Sequence, residues 1–144
     1  MIRSVTGADA SDVVALLGQL HPGAVIDAAR VKAQIEAMSA SPHVAVLGYV
    51  AGERIIGMAT LGRIEGLSHG CRPFGVIETV VVDASERSRG VGTALMRAAI
   101  ELAETWGCYK VILETGSRRE STLRFYEGCG MTRGEKTAFI LRLP

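Results

Sequence analysis

The residues best suited to chemistry are Arg87, Ser88, Arg89, Gly90, Val91 and Gly92. They form a basic, glycine-containing turn between an apolar run, Val76 to Val82, and an amphipathic stretch that opens near Gly92. A strand that empties through such a turn into a helix N-terminus builds an anion site, because the first helical N–H groups lack intrahelical partners and the helix dipole favours negative charge there. A Walker loop would end in Gly-Lys-Ser/Thr, whereas Gly92 is followed by Thr93 and Ala94. A dinucleotide fingerprint would place its third glycine at position 95, which is Leu95. A phosphate of another kind is expected. Glu78 is the second candidate, since it interrupts the most apolar strand of the chain. An unpaired carboxylate there would pay a desolvation cost and stand ready as a base. The alternative is a structural carboxylate paired with Arg72 or Arg118.

The elements that must position these residues follow from periodicity. Ile2 to Val5 suits a short first strand, and Thr6 and Asp9, three apart, precede the helical run Val13, Val14, Leu16, Leu17 and Leu20, which Pro22 and Gly23 stop. A second helix is expected from Asp27, with Val31, Ile35 and Met38 on one face. His43 to Val50 and Arg54 to Ile64, joined by Ala51-Gly52-Glu53, read as an antiparallel hairpin. Glu65 to Gly75 reads as a loop, and Val76 to Val82 as a central strand covered on both faces. Leu95, Ala98, Ala99, Leu102 and Trp106 then recur at helical spacing, with Gly107 as the stop. Lys110 to Glu114 is a further strand, Glu120 to Gly128 a short helix, and Thr137 to Leu143 a closing strand. Strand, helix, strand after Gly75 implies a right-handed parallel crossover. The fold class is α/β (α+β): one domain over residues 1–144, its mixed and mostly antiparallel sheet holding a central parallel pair, with flanking helices.

Arg87-x-x-Gly90-x-Gly92 after a strand resembles the pyrophosphate loop of the GNAT superfamily of N-acetyltransferases. The likeness extends through Val76 to Asp83, Cys108 to Glu114 and Phe125 to Met131, four segments in order over the C-terminal half. Within the superfamily, Ile77-Glu78, Val80-Val81-Val82, Cys108-Tyr109-Lys110 and Phe125-Tyr126, with Ser68-His69 upstream, are similar to members that acetylate amino-sugar phosphates. Thr79 and Thr122 depart from those members, which usually carry aspartate and asparagine there. The resemblance implies acetyl-CoA as co-substrate, its diphosphate on Arg87, Ser88, Arg89, Gly90, Val91, Gly92 and Thr93. It implies that the pantetheine arm bonds to the backbone of Val80, Val81 and Val82, and that Val80 N–H faces the thioester oxygen. Glu78 is then the base for the amine and Tyr126 the acid for the departing thiolate, with Thr122 and Tyr126 also among the cofactor contacts.

The rest of the chain narrows the partners. A net charge of +1, with 48% hydrophobic and 22% charged residues, gives no nucleic-acid footprint. No run approaches the roughly 20 apolar residues that span a bilayer. The cysteines, Cys71, Cys108 and Cys129, match no zinc spacing or disulfide framework and read as reduced cytoplasmic thiols. His21, His43 and His69 are too scattered for a metal site, so no metal is expected. Arg118 and Arg119, with Arg72, could meet an anionic acceptor or the 3′-phosphate of CoA. The expectation is a cytoplasmic homodimer acting on a small primary amine. An antibiotic, a polyamine, a protein N-terminus, or acyl-CoA binding without turnover are the alternatives.

Overall fold

The computed structural model describes residues 1–144. The chain divides into two compact units, Met1–Leu113 and Glu114–Pro144, described in turn.

The first unit carries β1 (Ile2–Ser4), α1 (Ala10–Leu20), α2 (Ala28–Ser39), β2 (Val44–Ala51), β3 (Arg54–Ile64), β4 (Phe74–Val82), α3 (Val91–Thr105) and β5 (Val111–Leu113). The sheet order is β1-β2-β3-β4-β5, antiparallel throughout except for the parallel pair β4–β5. The mixed sheet with one parallel pair, joined through α3, is as expected, but the pair lies at one margin of the sheet and not at its centre. Val13 and Leu16 of α1 and Ile35 of α2 share a buried cluster with Val46, Ile55, Met58 and Val81 of the sheet. Leu95 of α3 packs beside Gly57, and Ala103 beside Gly75, on the other side. Burying each large aliphatic side chain contributes about 1.5–3 kcal/mol, which is why the apolar periodicity selects this arrangement.

Local signals set the boundaries. Asp27 caps α2, its Oδ1 accepting from Arg30 N at 3.1 Å. Gly107, at φ 76°, ends α3 in a Schellman turn: Cys108 N donates to Ala103 O and Gly107 N to Glu104 O.

Entry into α1 rests on charge. Thr6 N and Oγ1 both donate to Asp9 Oδ2, at 2.8 and 3.1 Å, while Arg3 donates to both oxygens of the same carboxylate at 2.8 and 2.7 Å. Asp9 is only 8% exposed, and the Arg3 guanidinium, helped by Thr6, holds its carboxyl well below the usual range. Asp9→Asn is therefore expected to cost about 2 kcal/mol at neutral pH. The folded pKa is depressed, so the wild-type margin is complete above the unfolded value of about 3.9 and is lost as pH falls through the folded one. Urea unfolding at pH 7, 4 and 2 checks this; a margin constant from pH 4 to 2 would contradict it.

The second unit holds α4 (Glu120–Gly128), the helix expected there. Arg133 folds back along it, with Nη2 on Glu120 Oε1 at 2.9 Å and Nε on Glu127 Oε1 at 2.7 Å. The closing strand expected over Thr137 to Leu143 is not formed. A strand exists only through a neighbour's backbone ladder, and this segment has none; Phe139 is 92% and Leu141 85% exposed.

Candidate active site

The expected residues fall on both units. Glu78, Val80, Val81, Val82 and the run Arg87–Thr93 lie in the first, Thr122 and Tyr126 in the second.

Strand β4 is regular only in its first half. It pairs with β5 at Gly75, Val76 and Ile77 and no further. From Glu78 to Val82 it has a ladder with β3 alone, so backbone groups on its other edge are free to take an extended partner. The β3 ladder shifts here as well: Thr60 faces Glu78 and Met58 faces Val81, leaving Ala59 opposite both Thr79 and Val80. This is a β-bulge. Thr79 carries it at φ 53°, a left-handed backbone that costs a β-branched residue roughly 1–2 kcal/mol. The extra residue changes the strand's phase. Gly75 faces α3, whereas Val81, six residues on, packs with α1 and α2; an unbulged strand would put both on one face.

Glu78 is exposed and makes no side-chain hydrogen bond or ion pair. Two expectations are thereby corrected. The carboxylate is not enclosed by apolar neighbours: Glu78 stands exposed at the bulge, just past the last residue paired with β5. Nor is it paired with Arg72, whose guanidinium donates instead to Gly107 O and Cys108 O at 3.2 Å each, or with Arg118.

Beyond Val82 the chain passes through a short turn, Ala84–Glu86, into the loop that opens α3. Asp83 Oδ1 accepts from Ser85 N and Oγ at 2.9 and 2.7 Å, and these bonds hold its carboxyl below the usual carboxylate range. Ser88 at φ 61° and Gly90 at φ 80° are both left-handed. Gly90 is the N-cap, and the first intrahelical bond is Ala94 N to Gly90 O. The N–H groups of Val91, Gly92 and Thr93 precede that bond and point out of the helix end, the concave arrangement that receives anions. The side chain of Val91 is buried, so only its backbone can serve a ligand. Arg87 donates through Nε to Val82 O at 3.3 Å, and Arg89 pairs with Glu86 at 2.7 Å. Both guanidiniums stand on an exposed loop.

In the second unit, Thr122 Oγ1 accepts from Ser117 Oγ at 3.1 Å, inside the turn that starts α4. Tyr126 is half-buried, its ring centroid 5.0 Å from that of Phe125. Burial, with a smaller contribution from Cys129, raises its phenol above the ordinary value. Arg118 and Arg119 are exposed.

One cluster joins segments that the sequence singled out separately and without a role. Tyr109 stacks on His69 at 4.1 Å and meets Phe74 edge-on at 6.5 Å, and Lys110 Nζ lies 5.3 Å from both the Phe74 and Tyr109 ring centroids. Adjacency of Tyr109 and Lys110 is visible in the sequence; the approach of the His69 loop is not. No group of three or more His, Cys, Asp or Glu side chains is placed to hold a metal, and no helix is long and apolar enough to cross a membrane.

A bulged strand with a free edge, running into a glycine-capped helix, is what an acetyltransferase needs to lay out a long anionic thioester. Residues 16–131 match the model of the acetyltransferase (GNAT) family, and the chain belongs to that family. Among curated relatives it is 42% identical over 83 residues to the glucosamine 6-phosphate N-acetyltransferase of Trypanosoma brucei brucei, an alignment covering 58% of this chain and 54% of that one. It is 32% identical over 133 residues to glucosamine 6-phosphate N-acetyltransferase 1 of Oryza sativa subsp. japonica, covering 90% and 79%. A crystal structure of a Trypanosoma brucei acetyltransferase superposes with a TM-score of 0.84 at 32% identity, covering 99% of both chains.

Proposed function

We propose that this chain is an acetyl-CoA-dependent N-acetyltransferase that passes the acetyl group directly to a primary amine, with an amino-sugar phosphate as first acceptor. The observation that carries the reading is the unpaired edge of Glu78–Val82, followed through the turn Ala84–Glu86 and its loop by the helix N-terminus at Gly90. Two relatives named for glucosamine 6-phosphate support the acceptor class. The family match continues past Leu113 into the second unit, which supports one N-acetyltransferase domain over 1–144.

In this reading the loop Arg87–Thr93 neutralises the diphosphate, and backbone groups of Val80, Val81 and Val82 bond the pantetheine amides as an added strand would. Glu78, exposed and unpaired, takes a proton from the ammonium, directly or through water. The amine nitrogen attacks the thioester carbon, Val80 N–H donates to the carbonyl oxygen as negative charge gathers there, and the C–S bond breaks. Tyr126 gives its proton to the departing sulfur and is reprotonated by the second proton the nitrogen sheds, directly or through water, so free CoA thiol and a neutral amide leave. Thr122 completes the cofactor contacts. The protein is assigned as a cytoplasmic homodimer: the three thiols are unpaired, which fits a reducing compartment, and the exposed apolar run Phe139–Leu141 offers strand-forming residues to a second copy.

The deciding measurement is release of free thiol from acetyl-CoA with a panel of amines, on a preparation sized by light scattering. Turnover with glucosamine 6-phosphate at least tenfold above antibiotics, polyamines and peptide N-termini is expected, from a particle of twice the chain mass. Turnover confined to another amine would replace the acceptor, and tight CoA binding without any turnover would replace the enzyme by an acyl-CoA-binding module.

A further inference from the structure

The segment that leads to the anion-binding helix end is long, exposed and thinly held. From Ala84 to Gly90 its backbone bonds within itself or to Asp83 and Ala94, with one exception: Ala84 N donates to Gln19 Oε1 at 2.8 Å. Gln19 stands near the end of α1, and its amide works in both directions, since Nε2 also donates to Asp83 Oδ2 at 3.3 Å. The Ala84 N–H fixes the amide's orientation, because a flipped amide would set donor against donor. The same carboxylate oxygen faces Arg54 Nη2 at 4.0 Å, and Arg54 in turn faces Asp12 of α1 through Nε at 3.6 Å. Two residues of α1, seven apart and so on one face, thus grip the start of β3 and the exit of β4. Asp83 N, bonded to Ile56 O at 2.8 Å, is the last backbone tie to the sheet before the loop.

We infer that Gln19 is a positioning residue for the cofactor: by pinning the backbone at Asp83 and Ala84 it sets the direction in which the chain leaves the sheet, and hence where Arg87 and the helix N–H groups meet the diphosphate. This rests on the acetyl-CoA reading above. Placement of a binding group matters more than its presence, because a shift of about 1 Å in a preorganised site costs much of its benefit.

The experiment compares wild type, Gln19→Ala, Gln19→Glu and the exchange Gln19→Glu/Asp83→Asn by calorimetric titration with CoA, by steady-state kinetics and by thermal unfolding. Gln19→Ala is expected to raise the CoA Kd and the acetyl-CoA KM about tenfold, with kcat and the acceptor KM within about twofold. Gln19→Glu alone sets two carboxylates face to face and is expected to weaken CoA at least as much. In the exchange, the carboxylate now at position 19 still accepts from Ala84 N and also accepts from the side-chain amide now at position 83, so binding returns to within about threefold of wild type. If Gln19→Ala keeps the wild-type CoA Kd, or lowers kcat alone, or if the exchange fails to restore binding in a folded protein, the inference is overturned. Wild type that binds no CoA would overturn the acetyl-CoA reading itself, an outcome distinct from a variant that binds as wild type does.

Discussion

Replacing Tyr126 by phenylalanine is expected to lower kcat about 100-fold while the CoA Kd stays within about threefold. The substitution removes one hydroxyl and keeps the ring that packs 5.0 Å from Phe125, so a large effect can come only from the proton the hydroxyl carries. General acid catalysis by a placed side chain contributes about 10²–10⁴-fold. The direction of the phenol's shift suits a proton donor, because burial disfavours the phenolate. The group therefore keeps its proton at neutral pH and for some way above its ordinary value of about 10. Turnover that needs the phenol is complete below that raised value and is lost as pH rises through it. The pH profile of kcat, followed by thiol release, should therefore hold an alkaline limb in wild type that is missing from Tyr126→Phe. Equal turnover in the two proteins would remove Tyr126 from the chemistry.

Gly92→Val is expected to raise the CoA Kd about 100-fold, and Arg87→Ala about tenfold, with circular dichroism unchanged in both. Gly92 is the second residue of α3, among the N–H groups that precede the first intrahelical bond. A branched side chain there would stand where the anion must approach the backbone. Arg87 is exposed, so its charge acts across water and its loss costs less. Raising ionic strength should weaken wild-type binding and narrow the gap to Arg87→Ala. Unchanged affinity in both variants would mean that the diphosphate lies elsewhere.

Much of this architecture was legible because it is local. Gly107 stops α3, Asp27 starts α2, and Glu120 to Gly128 is helical, each for reasons contained within a few neighbouring residues. The start of α3 behind Gly90 was legible for the same reason, since a glycine-containing turn after a strand marks locally where a helix can begin. What escaped depends on contacts between distant segments. Nothing near Gln19 in sequence says that it meets Asp83 and Ala84. The exposure of Glu78 escaped because an apolar run predicts a strand covered on both sides, and the run cannot say that β5 stops pairing at Ile77. Thr137 to Leu143 shows the converse. Its residue types favour a strand, but a strand also needs a neighbour, and residue types name none.

The bulge at Thr79 has a further consequence, for which changes of length the chain can tolerate. Removing one residue from Glu78–Val80 would restore an unbulged ladder and swing Val81 from its contacts with α1 and α2 to the face of α3. A deletion in the exposed turn His21–Val25, between α1 and α2, disturbs no such alternation. Natural insertions and deletions among relatives should therefore gather in such turns and avoid the strand, which behaves as a fixed-length ruler between the core and the turn that opens α3.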